Sequence, residues 1–213
     1  MRQPVPKVIF ALLLGLIVTS LSAPAAAKTL KLVAIGDSLV AGLGLPANQA
    51  FTGVLEQRLK AMGHDVVVVN AGVSGDTAAD GLARLDWALG DGADAVILEL
   101  GANDMLRGLD PKATRRTLDQ IVKVIADKKL PLLISGMRAS GNLGPDYVTA
   151  FDAIYPDLAA RYGALIDPFY LDGVAMDPKL NQDDGIHPNA KGVIAIVGRM
   201  LPLVEELLAK VGS

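Results

Sequence analysis

A serine, a histidine and a pair of aspartates occur in two short segments near opposite ends of the chain. Ser38 follows an apolar run, in Gly-Asp-Ser-Leu at 36–39, and His187 ends Asp-Asp-Gly-Ile-His at 183–187. A serine hydroxyl becomes a nucleophile when a base lies within hydrogen-bond reach, and a carboxylate can orient that base. These residue types therefore predict nucleophilic acyl transfer, with Ser38 as nucleophile and His187 as base.

The choice of base and of its carboxylate partner is narrow, because the chain has only two histidines. His64 stands before the second apolar run, so we expect it at the far end of the sheet in a surface or capping role. Asp184 stands three residues before His187 and can hold one ring N–H in a tight turn. Asp183 is the alternative, although it can instead cap the local turn.

Acyl transfer also needs donors for the developing oxyanion, and the sequence offers three. They are the backbone N–H groups of Ser38 and Gly75 and the side-chain amide of Asn103. Taken singly, Gly75 can be a turn glycine and Asn103 a helix cap. Because each follows a different predicted strand, we expect the three donors to meet at one edge and form an oxyanion hole.

Ser74 is a rival nucleophile, since Gly-Val-Ser-Gly at 72–75 is similar to a nucleophile elbow. The full G-x-S-x-G pattern fails there and also around Ser38, because Asp76 and Val40 occupy the final glycine position. The close spacing of acid and base also differs from α/β-hydrolases. An α/β-hydrolase fold is therefore disfavoured.

Five apolar, β-prone runs recur at 30–35, 66–69, 95–100, 131–135 and 164–167, with segments of helical spacing between them. The runs are continuously apolar, as strands buried on both faces must be. We expect one domain, a three-layer α/β/α sandwich with a mainly parallel sheet of about five strands. Ligands bind at the carboxyl edge of such sheets, where the motifs above converge.

Three prolines mark predicted helix features. Pro111 follows Asp110 and fits the first turn of an aspartate-capped helix, and Pro188 is expected to start the final helix. Pro202 should kink or divide that helix.

The N-terminus has the layout of a secretory signal peptide. Arg2 and Lys7 precede an apolar run at 8–18 and the small residues Ala-Pro-Ala-Ala-Ala at 23–27. A membrane anchor is the alternative, but the run is shorter than the ~20 residues that span a bilayer. We expect cleavage near Ala27, which leaves a hydrolase domain over 28–213 that is periplasmic or secreted, without a stable membrane anchor.

The net charge and the cysteine content bear on which classes of protein the chain can belong to. The net charge is −3, and no basic patch suggests nucleic acid. The chain has no cysteine, so an exported form must be stable without disulfides.

Four sequence blocks in order resemble the SGNH (GDSL) hydrolases. They are Gly-Asp-Ser-Leu at 36–39, Ser-Gly-Asp at 74–76, Gly-Ala-Asn-Asp at 101–104 and Asp-Gly-Ile-His-Pro at 184–188. The resemblance extends from about Leu30 to the last helix and is strongest to the exported thioesterase I/lysophospholipase L1 and arylesterase group. It implies a flavodoxin-like SGNH fold, a triad of Ser38, Asp184 and His187, and an oxyanion hole of Ser38, Gly75 and Asn103. It also implies cleavage of carboxylic esters and thioesters through an acyl-serine intermediate, with no metal and no organic cofactor. The partner that the resemblance implies is a small-molecule ester or thioester, with lipid acyl chains among the candidates.

Apolar residues near the predicted edge are candidates for an acyl groove, although core packing explains them equally well. They are Met105, Leu106, Leu109, Met137, Leu143 and Ile186. The segment after Asn103 is a candidate lid.

Three other functions compete with an ester or thioester hydrolase. One is a carbohydrate O-acetyl esterase of the same fold, and another is an exported binding protein without catalysis. The third is a metal-dependent phosphohydrolase whose ligands are aspartates at the strand ends, namely Asp37, Asp76, Asp104 and Asp184. A chelator separates phosphohydrolase from esterase, and a serine-directed organophosphonate separates catalysis from binding.

Overall fold

The computed structural model describes Met1, residues 28–90 and residues 92–212. The predicted signal peptide, residues 1–27, lies outside the described residues apart from Met1. In the ranges described, no helix combines the length and the hydrophobicity needed to cross a membrane.

A single parallel sheet of five strands organises the described residues. The strands are β1 (Leu30–Gly36), β2 (Val66–Gly72), β3 (Ala95–Leu98), β4 (Leu132–Ser135) and β5 (Leu165–Asp167). Their order is β2-β1-β3-β4-β5, and every neighbouring pair is parallel. The predicted sheet is confirmed, and the strand order reverses between β1 and β3, so Ser38 follows a strand at the switch point.

Helices flank the sheet on both faces and bury its central strands β1, β3 and β4, whereas the edge strand β2 leaves Val67 exposed. They are α1 (Ser38–Ala41), α2 (Phe51–Ala61), α3 (Ala78–Ala83), α4 (Leu85–Leu89), α5 (Ala102–Leu106), α6 (Pro111–Asp127), α7 (Pro145–Asp152), α8 (Ile154–Tyr162) and α9 (Ala190–Ala209). Helix α2 packs against α9, whereas α3, α7 and α8 pack against α6. Consecutive residues of β3 are buried, as the unbroken apolar runs predict for a sheet covered on both faces.

The predictions made for the three prolines have different outcomes. Pro111 opens α6, and the Asp110 side chain caps it by accepting from Lys112 N–H, as predicted. Pro188 does not start the final helix; it pairs with Asn181 in an isolated antiparallel bridge. Helix α9 begins at Ala190 because the Asn189 side chain caps it, and the helix then continues through Pro202 without dividing.

Candidate active site

Ser38 is presented at the carboxyl end of β1 by a capped turn. Asp37 is the N-cap of α1, and its Oδ1 accepts from Leu39 N–H at 3.0 Å. Ser38 is the first helical residue, so its own N–H has no acceptor within the helix. The hydroxyl and this N–H are therefore available at the edge where ligands bind.

Ser38, His187 and Asp184 form a continuous hydrogen-bonded line. Ser38 Oγ lies 2.8 Å from His187 Nε2, and His187 Nδ1 lies 2.7 Å from Asp184 Oδ2. The other oxygen of Asp184 accepts from the backbone N–H groups of Ile186 and His187 at 2.9 and 3.0 Å. The structure thus brings together three residues that the sequence places up to 149 positions apart.

Protonation within this line follows from the surroundings of Asp184. The backbone N–H of His187, the His187 ring and the backbone N–H of Ile186 lower the pKa of Asp184 to about 2. An ionised carboxylate can only accept, so the proton between the two side chains resides on Nδ1. With that proton on Nδ1, Nε2 can accept from the Ser38 hydroxyl, which is the arrangement that lets an imidazole remove a serine proton.

The two rivals for these roles lie elsewhere. His64 precedes β2, at the opposite end of the sheet, and its Nε2 is 3.6 Å from Glu205. Asp183 is exposed, and the bonds to the imidazole and its backbone come from Asp184.

Gly75 and Asn103 reach the same edge as Ser38. Gly75 has φ of +89°, a conformation that favours glycine. Its carbonyl accepts from Arg107 Nη2 at 2.7 Å. Asn103 is the second residue of α5, so it does not cap that helix; Gly101 does.

The amide of Asn103 already has two acceptors. Its Nδ2 donates to Asp37 Oδ2 at 3.0 Å and to the Asp76 carbonyl at 2.9 Å. Asn103 therefore bridges the turn before Ser38 and the turn after Gly75. Donation to a substrate oxygen requires one of these hydrogens to be shared in a three-centre bond.

Arg84 holds the turn around Gly75 in place through hydrogen bonds from its side chain. Its guanidinium donates to the Asp76 carboxylate, to the Ala71 carbonyl at 2.7 Å and to the Gly36 carbonyl at 2.9 Å. One side chain thus ties the ends of β1 and β2 to the residue whose carbonyl holds Asn103. Sequence reasoning missed Arg84, since nothing local distinguishes it from a surface arginine.

A second carboxyl group lies behind Asp37. Glu99 follows β3 and is fully buried, and its Oε2 lies 3.5 Å from the Asp37 backbone N. Burial and the adjacent Asp37 charge raise the pKa of Glu99 well above its usual value. Burial also raises the pKa of Asp37, to about 6. The available sequence signal was a glutamate inside the otherwise apolar run 95–100.

The four aspartates proposed as metal ligands do not converge. Asp37 bonds Leu39 and Asn103, and Asp76 pairs with Arg84. Asp104 accepts from Ala78 N–H and the Thr114 hydroxyl, while Asp184 holds His187. Among the residues described, no three His, Asp or Glu side chains are grouped to hold a metal ion. The donor set therefore does not fit a metal-dependent phosphohydrolase.

A mainly apolar cavity of about 180 Å³ opens beside Ser38 and His187. The predicted residues Met105, Leu106, Met137 and Ile186 line it, together with residues that sequence reasoning did not assign to an acyl groove: Leu39, Ala102, Arg138, Phe169 and Leu171. Phe169 and Leu171 follow β5, so the strand-end rule could have found them. A larger cavity of about 270 Å³, near Lys129 and Lys210, contains none of the candidate site residues.

Leu109 and Leu143 are not part of the lining of this cavity. Gly108, with φ of +65°, ends the turn after α5, and the Leu109 carbonyl accepts from the Tyr147 hydroxyl. Leu143 belongs to a short 3₁₀ turn over Gly141–Leu143. Both residues were expected in the acyl groove from their positions along the chain alone, and those positions do not show how the turns direct the side chains.

Comparisons with known proteins agree with one another. The sequence model of the GDSL-like Lipase/Acylhydrolase family matches residues 34–193. The chain is 38% identical over 189 residues to "Esterase TesA" of Pseudomonas aeruginosa, covering 88% of this chain and 93% of that protein. It is 41% identical over 166 residues to "Thioesterase 1/protease 1/lysophospholipase L1" of Escherichia coli K12, covering 78% and 77%. Among solved structures, AlinE4, "a SGNH-hydrolase family esterase", matches with a TM-score of 0.72 and 42% identity, covering 86% of this chain and 99% of that one.

Proposed function

The chain belongs to the GDSL-like lipase/acylhydrolase family and is a carboxylic ester and thioester hydrolase of that type; we propose that it works through an acyl-serine intermediate on Ser38. The observation that carries this proposal is the line from Ser38 Oγ through the His187 ring to Asp184, with distances of 2.8 and 2.7 Å. The roles assigned to individual residues below are part of the same proposal.

In the first half-reaction, Ser38 Oγ attacks the carbonyl carbon while His187 Nε2 takes the hydroxyl proton. Asp184 stabilises the imidazolium that forms. When the tetrahedral intermediate collapses, the bond to the leaving alcohol or thiol breaks and Nε2–H protonates that group. Water, deprotonated by His187, then attacks the acyl-serine, and the carboxylic acid leaves as Ser38 regains its proton.

The oxyanion of each intermediate lies among the N–H groups of Ser38 and Gly75 and the Asn103 amide. Gly75 supports this role because it has no side chain to obstruct the substrate. Asn103 contributes a hydrogen that becomes shared between its present acceptor and the oxyanion. Loss of one such donor typically lowers kcat by about 10²–10³.

The acyl part of the substrate occupies the cavity beside Ser38. Its lining is mostly apolar, which suits hydrocarbon rather than a sugar ring. At about 180 Å³ it is smaller than the roughly 300–1,000 Å³ of sites for drug-sized ligands, so it favours short acyl groups. A carbohydrate O-acetyl esterase is the second candidate, since an acetyl group also fits this volume.

The proposal is tested with purified protein lacking residues 1–27, assayed with aryl esters, acyl thioesters, lysophospholipids and acetylated sugars. Ser38→Ala and His187→Ala should abolish hydrolysis while circular dichroism stays unchanged. Ser74→Ala is the matched control and should keep full activity. A serine-directed organophosphonate should label Ser38, found by peptide mass, and a chelator should leave ester hydrolysis intact. Full activity of Ser38→Ala would refute the assignment.

We further propose that residues 1–27 are a signal peptide and that residues 28–213 form the exported hydrolase. Arg2, Lys7, the apolar run at 8–18 and the small residues at 23–27 support this. Expression of the full chain in a bacterium, followed by N-terminal sequencing of the protein recovered outside the cytoplasm, should give Lys28 as the first residue. Recovery of the uncleaved chain in the membrane fraction would favour an anchor instead.

A further inference from the structure

Arg138 places a positive charge at the candidate acyl cavity. It follows β4 and lines the same cavity as Ser38 and His187. Its guanidinium carbon lies 5.4 Å from the centroid of the Phe169 ring, a second residue of the lining. The aromatic ring thus covers one face of the planar guanidinium and orients it.

The hydrogen-bonding groups of Arg138 are not used within the part of the chain that the structure describes. Arg84, Arg107 and Arg199 each donate to backbone carbonyls, and Arg84 and Arg199 also pair with buried aspartates. Arg138 has neither kind of partner there, and its guanidinium lies over the ring of Phe169. A guanidinium has five N–H donors in a fork that matches a carboxylate or a phosphate.

The other residues of the cavity indicate which kind of molecule would carry such a carboxylate or phosphate. Most lining side chains are apolar, among them Met105, Leu106 and Leu171. The other ionisable groups in the lining are His187, which serves the reaction, and Asp37, which is fully buried. A molecule that complements this cavity is therefore hydrocarbon along most of its length and negatively charged where it meets Arg138.

We propose that Arg138 forms an anion subsite, so that the preferred substrates are esters carrying a carboxylate or phosphate in addition to the reacting carbonyl. This inference rests on the hydrolase function proposed above and adds the charge of the substrate to it. Arg138 is a specificity residue and takes no part in bond breaking. Because the guanidinium is exposed on one side, the preference is about five- to tenfold in kcat/KM and weakens as salt screens the charge.

Two pairs of substrates test the subsite, and in each pair an anionic and a neutral molecule share the same reacting ester. On the acyl side, mono-4-nitrophenyl adipate is compared with its methyl ester, after subtraction of the enzyme-free rate. On the alcohol side, 1-hexanoylglycerol 3-phosphate is compared with 1-hexanoylglycerol. The pair that shows a preference identifies whether a carboxylate on the acyl group or a phosphate on the alcohol occupies the subsite.

The variants are Arg138→Met, Arg138→Lys and, as matched control, Arg115→Met, whose arginine pairs with Asp157 on the surface. Arg138→Met should remove the preference, so that kcat/KM becomes equal for the anionic and the neutral member of the pair. Arg138→Lys should keep part of the preference, because it retains the charge without the fork, and Arg115→Met should keep all of it.

Two results would overturn the anion subsite. One is a wild-type enzyme without preference in either pair, and the other is an Arg138→Met variant that slows both members equally. Neither result touches the hydrolase proposal, because that depends on Ser38→Ala abolishing cleavage of the neutral esters.

Discussion

Glu99 lies against Asp37, the residue before Ser38, in the interior: Glu99 Oε2 is 3.5 Å from the backbone N of Asp37. Both residues are fully buried, and Glu99 Oε1 accepts no hydrogen bond within the described ranges. Two adjacent buried carboxyls cannot both ionise, so the pair keeps one proton. Because the Asp37 carboxylate accepts from Leu39 and Asn103, we infer that Glu99 is the member that keeps the proton and can donate it to Asp37.

We expect Glu99→Gln to make the protein more stable relative to wild type as the pH rises. Glu99 is protonated in the folded state but ionises near pH 4.5 when unfolded. The folded state therefore binds more protons above that pH, and wild-type stability falls as pH rises toward the folded pKa. A glutamine donates to Asp37 without this penalty. The difference in free energy of unfolding should grow by up to about 1.4 kcal/mol per pH unit above pH 4.5.

Urea unfolding of both proteins at several values between pH 4 and 8 measures this slope. Glu206→Gln, at an exposed position of α9, is the matched control and should show no comparable trend. A difference that stays constant with pH would mean that Glu99 is ionised in the folded protein. Glu99→Leu should also lower kcat, since it removes the donor to Asp37, whereas Glu99→Gln should keep it.

Arg84→Lys should lower kcat about 10- to 100-fold and change KM by less than about twofold. The arginine spans three acceptors, and a lysine ammonium cannot reach all of them from one position. The Asp76 carbonyl would then shift, and with it the Asn103 amide proposed to stabilise the oxyanion. Such an effect belongs to the transition state more than to substrate binding.

Steady-state kinetics with a neutral aryl ester measure the Arg84 effect, and Arg115→Lys serves as the control on the surface. An unchanged kcat would show that the Gly75 turn holds its position without the clamp. Equal losses in kcat and in melting temperature for Arg84→Lys and Arg115→Lys would mark a general stability effect.

Asp184→Asn should lower kcat about 10²- to 10⁴-fold, and Asp183→Asn should leave it within about twofold. Asp184 accepts from the Nδ1–H of His187, and its low pKa keeps it ionised throughout the assay range. An asparagine can present an amide to Nδ1 and favour the wrong tautomer. The adjacent Asp183 is matched in type and position, so the reverse result would transfer the role of the acid to Asp183.

The sequence predicts much of the fold because buried strands and buried helix faces leave different patterns of apolar residues along the chain. The run Ala95–Leu98 is apolar at every position, which only a doubly covered strand requires, and Leu118 and Ile121 mark the inner face of α6. The strand-end rule then places Ser38, Gly75 and Asn103 on one edge before any distance is known.

The supports of the site carry no such signal, since they depend on contacts between distant segments. Arg84 is recognised only when the ends of β1 and β2 are seen together, and Glu99 reads as an interruption of a strand until Asp37 is placed beside it. Leu109 lies outside the cavity lining for a related reason: one residue with positive φ, Gly108, changes the direction of the chain between Leu106 and Leu109.

Leu106 and Leu109 supply the last prediction, because both are exposed, at 58% and 41%, but only Leu106 lines the cavity. Leu106→Asp should lower kcat/KM for 4-nitrophenyl hexanoate about tenfold more than for the acetate. The longer chain loses apolar contact at about 0.8 kcal/mol per methylene, while the acetyl group does not reach that wall. Leu109→Asp should leave the hexanoate-to-acetate ratio unchanged. Equal effects of the two variants would place the acyl chain along the outer surface of the segment after α5 rather than in the cavity. Equal loss of kcat/KM on both esters would mean that Leu106 supports the site and does not contact the acyl chain.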